Sequence, residues 1–189
     1  TSASFSVDFG IGAVDGLNIT TTDKDNGKEA IQAVYGFQID LTTSFTGEDS
    51  LDISIDAGNA GGAGTPLGEL DLNGPTGTDE LTVDGVSYTF PVGDETTVVV
   101  GAQGTDGSVL FTTACTYGGP SNTLDDCGNV QSAFVGNGTT LGASYAFSDE
   151  FTLAVGYAGD GKTATTGLMT KEGLDAVGIN AAYTTDTYG

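Results

Sequence analysis

The sequence predicts an all-β chain, an antiparallel up-and-down transmembrane β-barrel with about eight strands visible, short turns on one side and long loops on the other. Three observations carry that expectation. Apolar and polar residues alternate with a period of two in eight separate segments. The connections between the segments are alternately short and long. Aromatic residues gather beside the short connections.

In the first segment Ala3, Phe5, Val7, Phe9 and Ile11 alternate with Ser4, Ser6, Asp8 and Gly10. An extended backbone places those five apolar side chains on one face. The second segment sets Ile31, Ala33, Tyr35, Phe37, Ile39, Leu41 and Phe45 against Gln32, Gln38, Asp40, Thr42 and Ser44. In the third, Leu51, Ile53, Ile55 and Ala57 interleave with Asp52, Ser54 and Asp56. The fourth runs from Leu81 to Val92 and carries Val86, Tyr88 and Phe90, with Asp84-Gly85 placed to form a bulge. Thr96 to Ala102, Leu141 to Phe147, Phe151 to Tyr157 and Ala176 to Tyr183 complete the set.

Short turns fall at Gly47–Ser50, Gly93–Glu95 and Ser148–Glu150, and long polar loops near 12–29, 59–79, 103–139 and 159–173. A β-sandwich has no reason to gather every long loop at one end, whereas an outer-membrane barrel does. Phe45, Phe90 and Phe147 precede short turns and Phe151 follows one, as expected of an interfacial girdle. The whole of 1–189 reads as a single barrel domain or as part of a larger barrel. The rival architecture is a secreted acidic β-sandwich, a surface or filament subunit with a structural role.

Composition narrows the chemistry. Lys and Arg total 4 against 26 Asp and Glu, a formal charge of −22. So acidic a chain has no surface for phosphate, and nucleic acid is excluded as a partner. With no histidine in the chain, imidazole catalysis and Ser-His-Asp triads are ruled out. Asp52 and Asp56 lie about 13 Å apart along one strand, too far for the paired carboxylates of a glycosidase. No catalytic residue, enzymatic activity or metal site is expected. Cys115 and Cys127 lie in a polar Gly/Pro/Asn-rich stretch, where a disulfide is the expected state, in an oxidising compartment. Asp23–Gly27 (DKDNG) resembles a piece of a calcium loop but lacks the twelve-residue pattern closed by a bidentate Glu. Solvated loop charge is the better reading there.

If the apolar set faces lipid, the opposite set faces the lumen. Asp8, Gln38, Asp40, Asp52, Ser54 and Asp56 are its candidate pore-lining residues, joined by Ser4, Ser6, Gln32, Thr82, Thr89 and Ser144. All four lysines (Lys24, Lys28, Lys162, Lys171) fall in expected loops, so no cation stands opposite these aspartates. A closed eight-stranded barrel packs its interior with side chains, and an unpaired buried carboxylate costs several kcal/mol. The interior is therefore either water-filled, in a wider barrel, or occupied by cations, and rings of Asp select cations.

Three stretches resemble hairpins of cyanobacterial outer-membrane porins of the carbohydrate-selective, iron-uptake family. They are Leu41–Asn59 (LTTSFTGEDSLDISIDAGN), Tyr88–Asp94 (YTFPVGD) and Tyr145–Tyr157 (YAFSDEFTLAVGY). The resemblance implies a channel in the cell outer membrane, passing small solutes and ions, contacting membrane lipid and assembling as a homo-oligomer, normally a trimer. Family members usually carry an N-terminal S-layer-homology domain, which this sequence lacks, and their barrels are longer. The strand after the first turn usually bears basic residues, but Asp52, Ser54 and Asp56 stand there in this chain. That departure sets aside the family's anion preference and points to a cation-tolerant pore.

Overall fold

The computed structural model describes residues 1–13, 31–59, 79–112, 138–161 and 163–185. Eight strands form one antiparallel sheet: β1 (Ser2–Gly12), β2 (Gln32–Thr43), β3 (Ser50–Gly58), β4 (Thr82–Val92), β5 (Thr96–Thr105), β6 (Gly138–Ala146), β7 (Phe151–Gly159) and β8 (Asp175–Tyr183). Each pairs with its neighbours in sequence, in the order β1-β2-β3-β4-β5-β6-β7-β8. The meander and every expected strand are present. The sheet does not close on itself, and β1 and β8 are its two edges.

Register follows the period-two pattern. Phe5 faces Ile39, Ile39 faces Ile55, and Ile55 faces Val83. Across the other half Val98 faces Ala143, Ala143 faces Val155, and Val155 faces Ile179. A one-residue slip would send each of these side chains to the opposite face, so the alternation itself fixes the pairing. The expected bulge sits in β4: Ser54 pairs with Gly85 and Ile55 with Val83, which leaves Asp84 unpaired. A second irregularity lies between Val86 and Ser87, where the partners on β5 are Gln103 and Gly101.

The apolar face runs over all eight strands and is largely exposed, with Ala57 and Tyr157 buried on it near the long-loop end. Phe5, Phe9, Ile11, Val177 and Ile179 are each more than 65% exposed. Most of the buried core lies on the opposite face, over β5–β8, where Val99 and Thr140 are fully buried and Ala154 and Ala158 nearly so.

A short segment accounts for that core. After β5 the chain makes two tight turns: Val109 N–H donates to the Asp106 carbonyl and Phe111 N–H to the Ser108 carbonyl. It then crosses the polar face toward β8. Thr140 Oγ1 donates to the Thr105 carbonyl at 2.6 Å. At the far end Thr112 N–H donates to Asn180 Oδ1 (3.1 Å), and Asn180 Nδ2 donates to the Thr112 carbonyl (3.3 Å). Gly142, Ala154, Gly156 and Ala158 leave room for it on β6 and β7. A Cβ on Gly142 would stand 2.8 Å from Val99 Cγ1.

Candidate pore wall

All twelve residues expected to line the lumen share the face opposite the apolar one. Cross-strand pairing sets them in rows: Ser4, Asp40, Ser54 and Gly85 in one, and Ser6, Gln38, Asp56 and Thr82 in the next. A third row holds Thr42, Asp52, Ser87 and Gly101. Asp8 lies one polar row beyond Ser6, opposite Gly36.

The aspartates of this wall are held by neutral donors. Asp40 Oδ1 accepts from Gln38 Nε2 (2.7 Å) and Ser54 Oγ (2.6 Å), and its Oδ2 accepts from Ser4 Oγ (3.3 Å). Asp52 accepts from Thr42 Oγ1 at 2.8 Å and from Ser50 Oγ at 2.7 Å. Hydroxyl and amide groups thus satisfy these carboxylate oxygens without cancelling their charge. Asp56 differs. It is buried, and its Oδ1 has no hydrogen-bond partner among the described residues.

Beside these rows lies a groove of about 190 Å³. Asp52 and Ser54 of β3, Asp84 and Ser87 of β4, and Asp106 and Val109 of the crossing segment face it. Three acidic residues therefore line one groove. The sequence reading found Asp52 and Ser54 but missed Asp84, Ser87 and Asp106. Asp84 was legible only as a bulge residue, and Asp106 lay in what read as an undivided long loop.

The rim at the short turns is a second construction. The Asp49 carboxylate accepts from Ser44 Oγ, Phe45 N–H, Thr46 N–H and Thr46 Oγ1, all inside the β2–β3 turn. Hydrogen bonds from Ser44, Tyr88 and Thr46 hold its carboxyl well below the usual carboxylate range. Aromatic rings surround this end. Tyr88 packs against Phe45 and Phe90 with centroids 6.1 and 5.4 Å away, and Phe147 contacts Tyr145 and Phe151 at 4.7 and 5.4 Å. The four expected girdle residues are joined by Tyr88 and Tyr145. Two more tyrosines mark the long-loop end, where Tyr35 donates to Asp79 at 2.7 Å and Tyr157 to Asp175.

Cys115 and Cys127 lie outside the described residues, as do Asp23–Gly27. No protein-family model, curated protein or solved structure matches the chain.

Proposed function

We propose that the chain forms the wall of an outer-membrane porin, a β-barrel channel for passive diffusion of small solutes and ions that tolerates or favours cations. One observation carries the reading: an eight-strand meander with one largely exposed apolar face and an opposite face that is acidic over β1–β4. Lipid is the occupant such a face suits, because among its strand residues the only charge is Asp175, at the rim in a hydrogen bond with Tyr157. Strands of nine to twelve residues match the roughly 9–11 that a tilted membrane strand needs. Tyrosines with their hydroxyls tied at both ends suit two interfacial belts.

The acidic wall calls for water, so the barrel is wider than eight strands, and the free edges of β1 and β8 pair with further strands. The crossing segment narrows the passage against β3 and β4, and Asp52, Asp84 and Asp106 give the narrowed passage its sign. The resemblance to cyanobacterial porins points the same way, including assembly as a trimer.

Single-channel conductance in a planar bilayer tests this, with selectivity taken from the reversal potential in a salt gradient. Stable steps with a cation-selective potential are expected. Protein that is folded and soluble without detergent and gives no conductance would overturn the reading in favour of a secreted surface protein.

A further inference from the structure

We infer that the strands completing this wall come from a second copy of the chain: β8 of one copy pairs with β1 of the next, and two copies close one channel. The inference rests on the sheet being a barrel wall. Its two edges are open to pairing. A strand that stays at an edge is commonly blunted by lysine, proline or a bulge. β1 (SASFSVDFGIG) and β8 (DAVGINAAY) contain neither lysine nor proline. The irregular pairings all lie inside the sheet, between β3 and β6, while β1 follows β2 and β8 follows β7 without interruption. Side chains on the edges lack a flanking strand: Phe9 is 78% and Ile179 73% exposed, against 45% for Val155 on the interior strand β7.

Each edge is also the complement of the other. The strands alternate in direction, so β8 runs antiparallel to β1 and a second copy beside the sheet continues the meander's own pairing. Both edges reach the short-turn rim, where Thr1 Oγ1 lies 2.8 Å from Thr43 Oγ1 and Thr184 N–H donates to the Glu150 carbonyl. With the rims level, Val7 comes beside Ile179 of the second copy and Phe9 beside its Val177, on the apolar face of both. Such β-branched and aromatic cross-strand pairs stabilise a sheet. On the polar face Ser6 meets Asn180 and Asp8 meets Gly178, so no like charges oppose each other. Asp8 of one copy thereby joins the acidic wall beside the Asn180 that clips the crossing segment of the other. Water in the lumen sets the number of copies. Eight strands closed on themselves pack their interior with side chains, whereas about sixteen leave an aqueous channel. The contact is head-to-tail, and two such seams related by a two-fold axis close a ring.

Photocrosslinking between isotopically distinct copies tests the seam. The full chain with Phe9→p-benzoylphenylalanine is mixed with nitrogen-15-labelled wild type, folded in detergent micelles, checked by circular dichroism and irradiated. Mass spectrometry of the digest should find position 9 joined to a labelled β8 peptide containing Val177 and Ile179. The same probe at Val83, on the interior strand β4, should reach no β8 peptide. Native mass spectrometry of the unmodified protein should show two chains per particle. Adducts to β8 confined to a single chain would mean that eight strands close on themselves, and overturn the inference. Adducts that miss β8 altogether, or particles of one chain, overturn it as well. Conductance of the same preparation separates this from the pore reading. Channels without the interchain adduct reject the two-copy seam alone, and the adduct without channels rejects the pore alone.

Discussion

The Tyr88 hydroxyl donates a 2.6 Å hydrogen bond to Asp49 Oδ2, tying the fourth strand to the turn between the second and third. The bond closes the shell of donors that the turn itself provides, and it fixes the ring that packs between Phe45 and Phe90. A carboxylate with this many donors is favoured in its charged form. Its folded pKa lies below the unfolded value of about 3.9, so its contribution to stability is complete above that value and declines as pH falls further. Asp49→Asn should lower the urea midpoint at neutral pH. The gap to the wild type should hold down to about pH 5 and narrow below pH 4. Circular dichroism melts across that range check it, and a gap constant to pH 2 would reject the account.

Gly104 is the point where the two bulged strands touch. Its φ is +63°, and a Cβ there would fall on the Asp84 carbonyl oxygen. Gly104→Ala should cost more than about 3 kcal/mol, because the strain and the overlap add. Gly47, at φ +94° with open space around it, should lose only about 1–2 kcal/mol on the same change. Denaturant midpoints of the two variants give the comparison, and equal losses would show that the contact with Asp84 is soft.

The two faces differ in what they tolerate. Val155 is mid-strand on the apolar face and 45% exposed. In lipid, Val155→Arg should cost about 2–4 kcal/mol. Ser6→Arg, on the polar face opposite Gln38, should cost less than about 1 kcal/mol. Folding equilibria in phospholipid vesicles measure both. An arginine at position 155 that is neutral would mean that this face meets water.

Asn180 clips the crossing segment through two hydrogen bonds to Thr112. Asn180→Ala removes both, at about 1–3 kcal/mol. Channels of this variant should conduct more and open with greater noise, because the segment is freed at its β8 end. Unchanged single-channel records would place the narrowest passage elsewhere.

Most of the sheet was legible in the sequence because period-two alternation is a local signal. Phe5 to Ile11 and Ile31 to Leu41 announce their faces without reference to any other strand. The wall was legible for the same reason, since Asp40, Asp52 and Asp56 follow from the apolar residues beside them. What could not be read depends on distant partners. Nothing near Asp49 points to Tyr88, and nothing near Asp106 says that its segment turns inward rather than out. The donors that meet Asp40 depend on partners too, because Ser4, Ser54 and Gln38 act only as a set. Closure depends on which strands meet the edges, and β1 and β8 remain apart.

The meander order carries an evolutionary consequence. Every pairing joins strands that are consecutive in the chain, so a duplicated hairpin can enter at a long loop and add two strands while leaving the contacts within every other hairpin intact. Deleting one is equally local. Such a chain can widen or narrow its sheet by whole hairpins during descent, with the acidic character of each new strand pair set independently of its neighbours.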